Sequence, residues 1–141
     1  MGYFEKKNVD ANTPFVICGG AAGEVGFSKE DFWAADDCEF IVCKEGISSK
    51  YIYHCLLNQK KDLKSQVRTA SIPRLSPSVI RNLFVPIPPL NEQERIVEIL
   101  DKFEKLTTDL SQGLPAEINA RQQQYEYYRD KLLTFKRTEV A

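Results

Sequence analysis

The chain has 141 residues, 43% hydrophobic and 28% charged, with a net charge of -1; this bounds it to one small folded domain, or one domain plus an appendage. No run of about eighteen apolar residues exists, which excludes a helical membrane span, and Met1-Gly-Tyr-Phe-Glu-Lys-Lys lacks the apolar core of a signal peptide, so a cytosolic product is expected. The near-neutral total conceals two opposed segments. Residues 24–45 carry Glu24, Glu30, Asp31, Asp36, Asp37, Glu39 and Glu45 against Lys29 and Lys44, net -5, whereas 60–81 carry Lys60, Lys61, Lys64, Arg68, Arg74 and Arg81 against Asp62, net +5. The basic stretch fits either a directed contact with an anion or a solvated helix face with a basic last turn.

Pro14–Cys18 reads as a strand, Gly19-Gly-Ala-Ala-Gly23 as a loop and Glu24–Phe27 as a second strand. Three glycines in five residues permit positive φ and close backbone approach. That suits a loop approaching a phosphate or base edge, or a plain hairpin connection. No Gly-Lys-Ser/Thr follows, and the spacing does not match a dinucleotide fingerprint. Asp31–Ala35 is an irregular crossing or a short turn, and Cys38–Cys43, β-branched and aromatic, is a strand. Ser48 or Ser49 caps a helix predicted over Lys50–Gln66, with Tyr53, Leu56, Leu57 and Leu63 on its apolar face and Lys60, Lys61 and Lys64 near its end. Val67–Leu75 is a polar loop punctuated by Ile72 and Leu75. Ser76-Pro77 opens one or two helical turns to Asn82, and Leu83–Ile87 returns as a short strand. Residues 1–90 therefore read as a small α+β domain with a mixed or antiparallel sheet.

Cys18, Cys38, Cys43 and Cys55 lack the paired spacing of a zinc site. His54 and Cys55, adjacent on a helix, point about 100° apart and do not converge on one metal. With one histidine, no base paired to a nucleophile and no methyl-donor or nucleotide fingerprint, no catalytic residue, metal or cofactor is expected.

Pro86, Pro88 and Pro89 hold the next stretch extended. A helix start follows, with Asn91 at the N-cap and Glu92 and Glu94 in the first turn. From 91 to 141 the strand pattern disappears. Ile96, Ile99, Phe103, Leu106 and Leu110 recur in steps of three and four, and Gly113 and Pro115 suit the end of one helix and the start of the next. Leu114, Ile118, Arg121, Tyr125, Tyr128, Leu132 and Phe135 then form a coiled-coil seam over about three heptads. The two seams slip by one residue at Gly113, which predicts a break or kink near 111–115. One amphipathic helix cannot bury its stripe alone in water. The second helix therefore folds back on the first or meets a partner helix; the short Gly-Leu-Pro connector and the polar seam favour the partner.

Ile72-Pro-Arg-Leu75, Val85-Pro-Ile-Pro-Pro-Leu-Asn-Glu-Gln-Glu-Arg-Ile-Val97, Gly113-Leu-Pro-Ala-Glu-Ile118 and Gln124-Tyr-Glu-Tyr-Tyr-Arg-Asp-Lys-Leu-Leu133 together resemble the DNA-specificity subunit of type I restriction–modification systems. The resemblance is specific over about residues 72–135 and looser before them. It implies target-recognition domains that each read half of an interrupted DNA sequence, and long helices that set the spacing and dock methyltransferase subunits, with restriction subunits joining the assembly. It implies a non-catalytic reader of double-stranded DNA, with Lys60 to Arg74, and Gly19, Gly20 and Gly23, in or near the DNA-facing surface, and Asn91–Phe135 as spacer and docking surface. For such a reader, Lys60, Lys61, Lys64 and Arg68 would supply phosphate contacts, and Arg68, Thr69, Ser71 and Arg74 base-edge contacts. Members usually carry two domains and two helical regions. This chain has one of each, as expected of a half-subunit, a truncated gene product or a cut piece. A half-subunit would restore two-fold geometry by homodimerising through the second helix. The rival reading, from another class, is a protein-interaction adaptor with a coiled-coil dimerisation arm and no DNA contact, which the neutral charge favours.

Overall fold

A computed structural model describes residues 6–109 and 115–135. The chain divides into two compact units, Met1–Ile87 and Pro88–Ala141. In the first unit, β1 (Thr13–Ile17), β2 (Val25–Ser28) and β3 (Cys38–Phe40) form an antiparallel sheet in the order β2-β1-β3. Phe15 stands opposite Gly26 on one side and Phe40 on the other. Gly26 admits the Phe15 ring, since a Cβ there would lie 2.3 Å from it. The glycine loop is a hairpin connection: Ile17 N–H donates to the Glu24 carbonyl (2.9 Å) and Gly23 N–H to the Ile17 carbonyl (2.8 Å).

β3 is shorter than the predicted Cys38–Cys43. Two features limit it: the partner strand begins only at Thr13, after Asn12 at a φ of 59°, and Pro14 lacks a donor. Ile41 N–H donates to the Pro14 carbonyl at 2.9 Å, but proline has no N–H to return, so the ladder loses half of that pair.

The single helix predicted over Lys50–Gln66 is two: α1 (Ser49–Asn58) and α2 (Lys60–Ser65). Ser48 caps α1, its hydroxyl accepting from Tyr51 N–H. The break is at Gln59, whose backbone leaves the helical region (φ -93, ψ 6) and whose amide nitrogen donates to the Phe84 carbonyl at 3.0 Å. The buried face is also wider than predicted. Tyr51, Ile52, His54, Cys55, Leu56 and Leu63 are buried, while Tyr53 and Leu57 are only half-buried. Tyr51, Leu63 and Val16 reach zero exposure, and each fully buried Val or Leu contributes about 1.5–3 kcal/mol. Pro77 occupies the first turn of α3 (Pro77–Arg81) as the sequence indicates.

The strand predicted at Leu83–Ile87 does not form. Proline removes ladder donors there; side chains hold the segment instead. Gln59 donates to the Phe84 carbonyl, and Tyr51 Oη to the Pro86 carbonyl at 2.8 Å.

The second unit is α4 (Leu90–Asp109) and α5 (Pro115–Leu133). The helix starts one residue before Asn91, so Asn91 is not its N-cap. The Pro89 carbonyl already accepts from Glu92 and Gln93 N–H, and the Gln93 side chain, fully buried, donates back to the Pro88 carbonyl at 2.8 Å. Ile96 and Leu100 are buried, Ile99 and Phe103 half-buried and Leu106 48% exposed. The most buried positions are thus 93, 96 and 100, of which only Ile96 lies in the predicted seam. Leu110 and the predicted break at 111–115 lie largely outside the described residues, with Pro115 opening α5.

Phe103 of α4 stacks on Tyr128 of α5 with ring centroids 5.3 Å apart and 19° between planes. The second helix therefore folds back on the first, the less favoured of the two expected arrangements. Among the described residues, no helix is long and apolar enough to cross a membrane.

Candidate nucleic-acid interface

The residues proposed for phosphate and base contact converge in the first unit, on α2 and the loop after it. This loop is not formless. Arg68 N–H donates to the Arg74 carbonyl (2.8 Å) and Arg74 N–H to the Arg68 carbonyl (3.1 Å), closing a small hairpin with Thr69, Ala70, Ser71 and Ile72 exposed at its tip. The hairpin docks on the glycine connection. Gly20 N–H donates to the Pro73 carbonyl (3.0 Å), Gly19 bridges to Arg74, and Leu75 N–H donates to the Cys18 carbonyl (2.9 Å). Buried Leu75 anchors the far end.

Gly23 sets α2 against the same connection. Its φ of +84° is one that side chains rarely adopt, and a Cβ there would meet Lys64 at 3.0 Å. Gly19, Gly20 and Gly23 thus belong to a hairpin connection on which the exposed Arg68–Arg74 hairpin docks.

The charges are arranged in a way the residue list alone does not reveal. Lys60 and Lys64 both engage the Glu24 carboxylate. Their hydrogen bonds, Lys60's the larger influence and Lys64's next, hold Glu24 below the usual carboxylate range. Arg74 pairs with Asp37 at 2.8 Å and Arg81 with Glu39 at 3.6 Å. The opposed segments 24–45 and 60–81 are therefore complements within the fold. Glu24 and Asp37 are the residues that sequence reasoning missed; the matching charges of -5 and +5 were the signal that could have found them. Lys61 and Arg68 are exposed and have no carboxylate partner among the described residues.

Burial raises the Cys18, Cys38 and Cys43 thiols above their ordinary value, and Cys55 to about 11.

On α5 the proposed seam residues separate. Leu114 lies outside the described residues. Tyr125 is buried, Tyr128 stacks on Phe103, Ile118 and Leu132 are half-buried, and Arg121 and Phe135 are exposed. The inward residues are Tyr125, Arg129 and Leu133, four apart, with the Arg129 guanidinium 5.6 Å from the Tyr125 ring centre. Arg129 and Leu133 thus flank the seam positions Tyr125, Tyr128 and Leu132 on the same side of the helix.

A family profile described as the type I restriction modification DNA specificity domain matches residues 1–120. The chain is 43% identical over 107 residues to the Escherichia coli type I restriction enzyme EcoR124I/EcoR124II specificity subunit, covering 74% of this chain and 26% of that protein. It is 34% identical over 136 residues to a putative type I specificity subunit of Mycoplasma pneumoniae, covering 96% of this chain and 56% of the relative. In fold it is similar to the crystal structure of a type I restriction–modification S subunit from M. genitalium, with a TM-score of 0.63 and 24% identity over 79% of this chain and 30% of that one. The chain thus spans about a quarter to a half of the length of these relatives. Matched over most of its length, it belongs to the type I restriction–modification DNA specificity family.

Proposed function

We propose that this chain reads double-stranded DNA sequence-specifically, as the specificity component, or half of one, in a type I restriction–modification assembly. In that role it directs methyltransferase and restriction subunits to their site and supplies no catalytic group itself. The observation that carries the reading is the exposed hairpin Arg68–Arg74, hydrogen-bonded to the glycine connection, in a chain of this family. Lys61 and Arg68 are the cations best placed to neutralise phosphates, since neither is engaged by a described carboxylate. Thr69, Ser71 and Arg74 offer the hydroxyls and the guanidinium fork that suit base edges. The helical unit serves as spacer and docking surface, with exposed Leu106, Arg121, Tyr127 and Phe135 available to a methyltransferase subunit or a second copy.

The test is fluorescence anisotropy of labelled mixed duplexes across a salt series, with light scattering of the chain alone and with a type I methyltransferase subunit. Salt-dependent binding together with a heavier complex supports the proposal.

One observation favours the adaptor reading: Lys60, Lys64, Arg74 and Arg81, four of the six cations in 60–81, already face carboxylates of the same chain. Absence of any DNA affinity at low salt would select the adaptor.

A further inference from the structure

Arg74, on the second arm of the hairpin, is not a free cation. Its Nη1 donates to Asp37 Oδ1 at 2.8 Å, with the two side chains 61% and 51% exposed. Ion pairs this exposed add little to fold stability.

The Asp37 backbone is fixed where its carbonyl accepts from Cys18 N–H at 2.7 Å. Its carboxylate lies directly over Gly19: a Cβ on Gly19 would stand 2.5 Å from Asp37 Cγ and 2.6 and 2.8 Å from the two oxygens. Gly19 in turn bridges to Arg74, and the Arg74 main chain is tied to Arg68. A recess of about 280 Å³ opens beside the pair, lined by Asp36, Arg68, Leu75 and Ser76 among others.

We propose that Asp37 is a positioning residue that aims the Arg74 guanidinium at a guanine edge, and that position 19 is glycine to leave room for that carboxylate. This rests on the DNA-reading function proposed above. A guanidinium carries five N–H donors in a planar fork. Asp37 takes one and fixes the plane, leaving donors for guanine N7 and O6, the two acceptors arginine meets in the major groove. The same carboxylate discourages a phosphate at Arg74, because the phosphate would sit beside a like charge. A base edge carries no net charge and meets no such repulsion. Asp37 therefore makes Arg74 a base reader, while Lys61 and Arg68, with no carboxylate partner among the described residues, are left for the backbone.

The experiment presents the full chain with a library of randomised duplexes and sequences the bound fraction. The wild-type chain enriches guanine at one position by about 5- to 150-fold, the range of one good bidentate contact. Arg74→Ala abolishes that enrichment. Asp37→Ala and Gly19→Ala flatten it at least severalfold while binding to mixed duplex persists. Gly19→Ala keeps every charge, so its effect reads geometry alone. A merely structural role would weaken binding to all sequences together and leave the base ratio unchanged. Thermal melts of each variant identify any that fail to fold, and Asp37→Ala, at an exposed side chain, carries the test if Gly19→Ala does.

A guanine preference lost in Arg74→Ala but intact in Asp37→Ala overturns the positioning role and leaves DNA reading standing. Uniform loss across sequences in Arg74→Ala makes Arg74 a phosphate clamp and also overturns it. A wild-type chain that enriches no sequence removes the DNA-reading function and this inference with it.

Discussion

Glu24→Gln is the substitution that most directly asks whether α2 faces a phosphate backbone. In the folded chain one carboxylate is shared by Lys60 and Lys64, so the three groups present a net charge of +1. The amide raises this to +2. If the cluster faces DNA, one additional neutralised phosphate steepens the dependence of log affinity on log salt by about 0.9. Over a fourfold rise in salt, from about 50 to 200 mM, that is about 3.5-fold more affinity lost than by the wild type, from a tighter starting point at low salt. Lys61→Ala, which removes a cation with no carboxylate partner among the described residues, shifts the slope by a similar amount in the opposite sense. The assay is anisotropy of mixed-sequence duplexes over the salt series. Parallel lines for wild type and Glu24→Gln, with a shallower line for Lys61→Ala, would refute the placement of Lys60 and Lys64 at the backbone and leave them as partners of Glu24 alone. The same variant has a pH signature. The carboxyl of Glu24 is held below its ordinary value near 4.5 by Lys60 and then Lys64. The stability it contributes, about 0–1 kcal/mol for pairs this exposed, is present above that value and is lost as pH falls through the lowered one. Urea midpoints of wild type and variant should converge in acid.

Three other outcomes are expected. Tyr51→Phe removes the hydroxyl bonded to the Pro86 carbonyl and should lower unfolding free energy by about 0.5–1.5 kcal/mol in urea titration; no change would mean that the proline segment is held without it. Leu56→Ala, at a side chain 2% exposed, should cost about 2–5 kcal/mol by cavity formation, read as a lowered melting temperature. Cys55, buried and with its thiol raised to about 11, should resist aromatic disulfide reagents at pH 8 until the chain is unfolded; prompt labelling in the native state would contradict its burial.

The β1–β2 hairpin is legible in sequence because β-branched residues flank a glycine cluster, and both signals are local. The start of α3 is legible for the same reason, since proline after serine needs no tertiary context. The break at Gln59 is not. A polar residue between Asn58 and Lys60 carries no helix-stopping signal, and its distinguishing contact, with the Phe84 carbonyl, is 25 residues away. The missing strand at 83–87 is a related failure: Val85 and Ile87 fit a strand pattern, but the prolines withhold donors and side-chain bonds take over. On α5, the four-and-three pattern locates Tyr125 and Tyr128, the second of which stacks on Phe103 of α4, but gives no sign that Arg129 and Leu133 are also turned inward. At the candidate site, the basic residues are identifiable by type and spacing. Their pairing with Glu24 and Asp37 depends on how the chain brings residues 24–37 beside 60–74, which no local window contains.

Pro14 has a consequence beyond the length of β3. Ile41-Val42-Cys43 is an apolar, β-branched run that would otherwise prolong the outer strand, and Val42 is 76% exposed. A longer outer strand would offer a neighbouring molecule an apolar edge of unpaired amides, the usual template for aggregation. Pro14 withholds one donor from the central strand, and that strand begins only at Thr13, so the outer edge stays three residues long and offers a neighbouring molecule a short template.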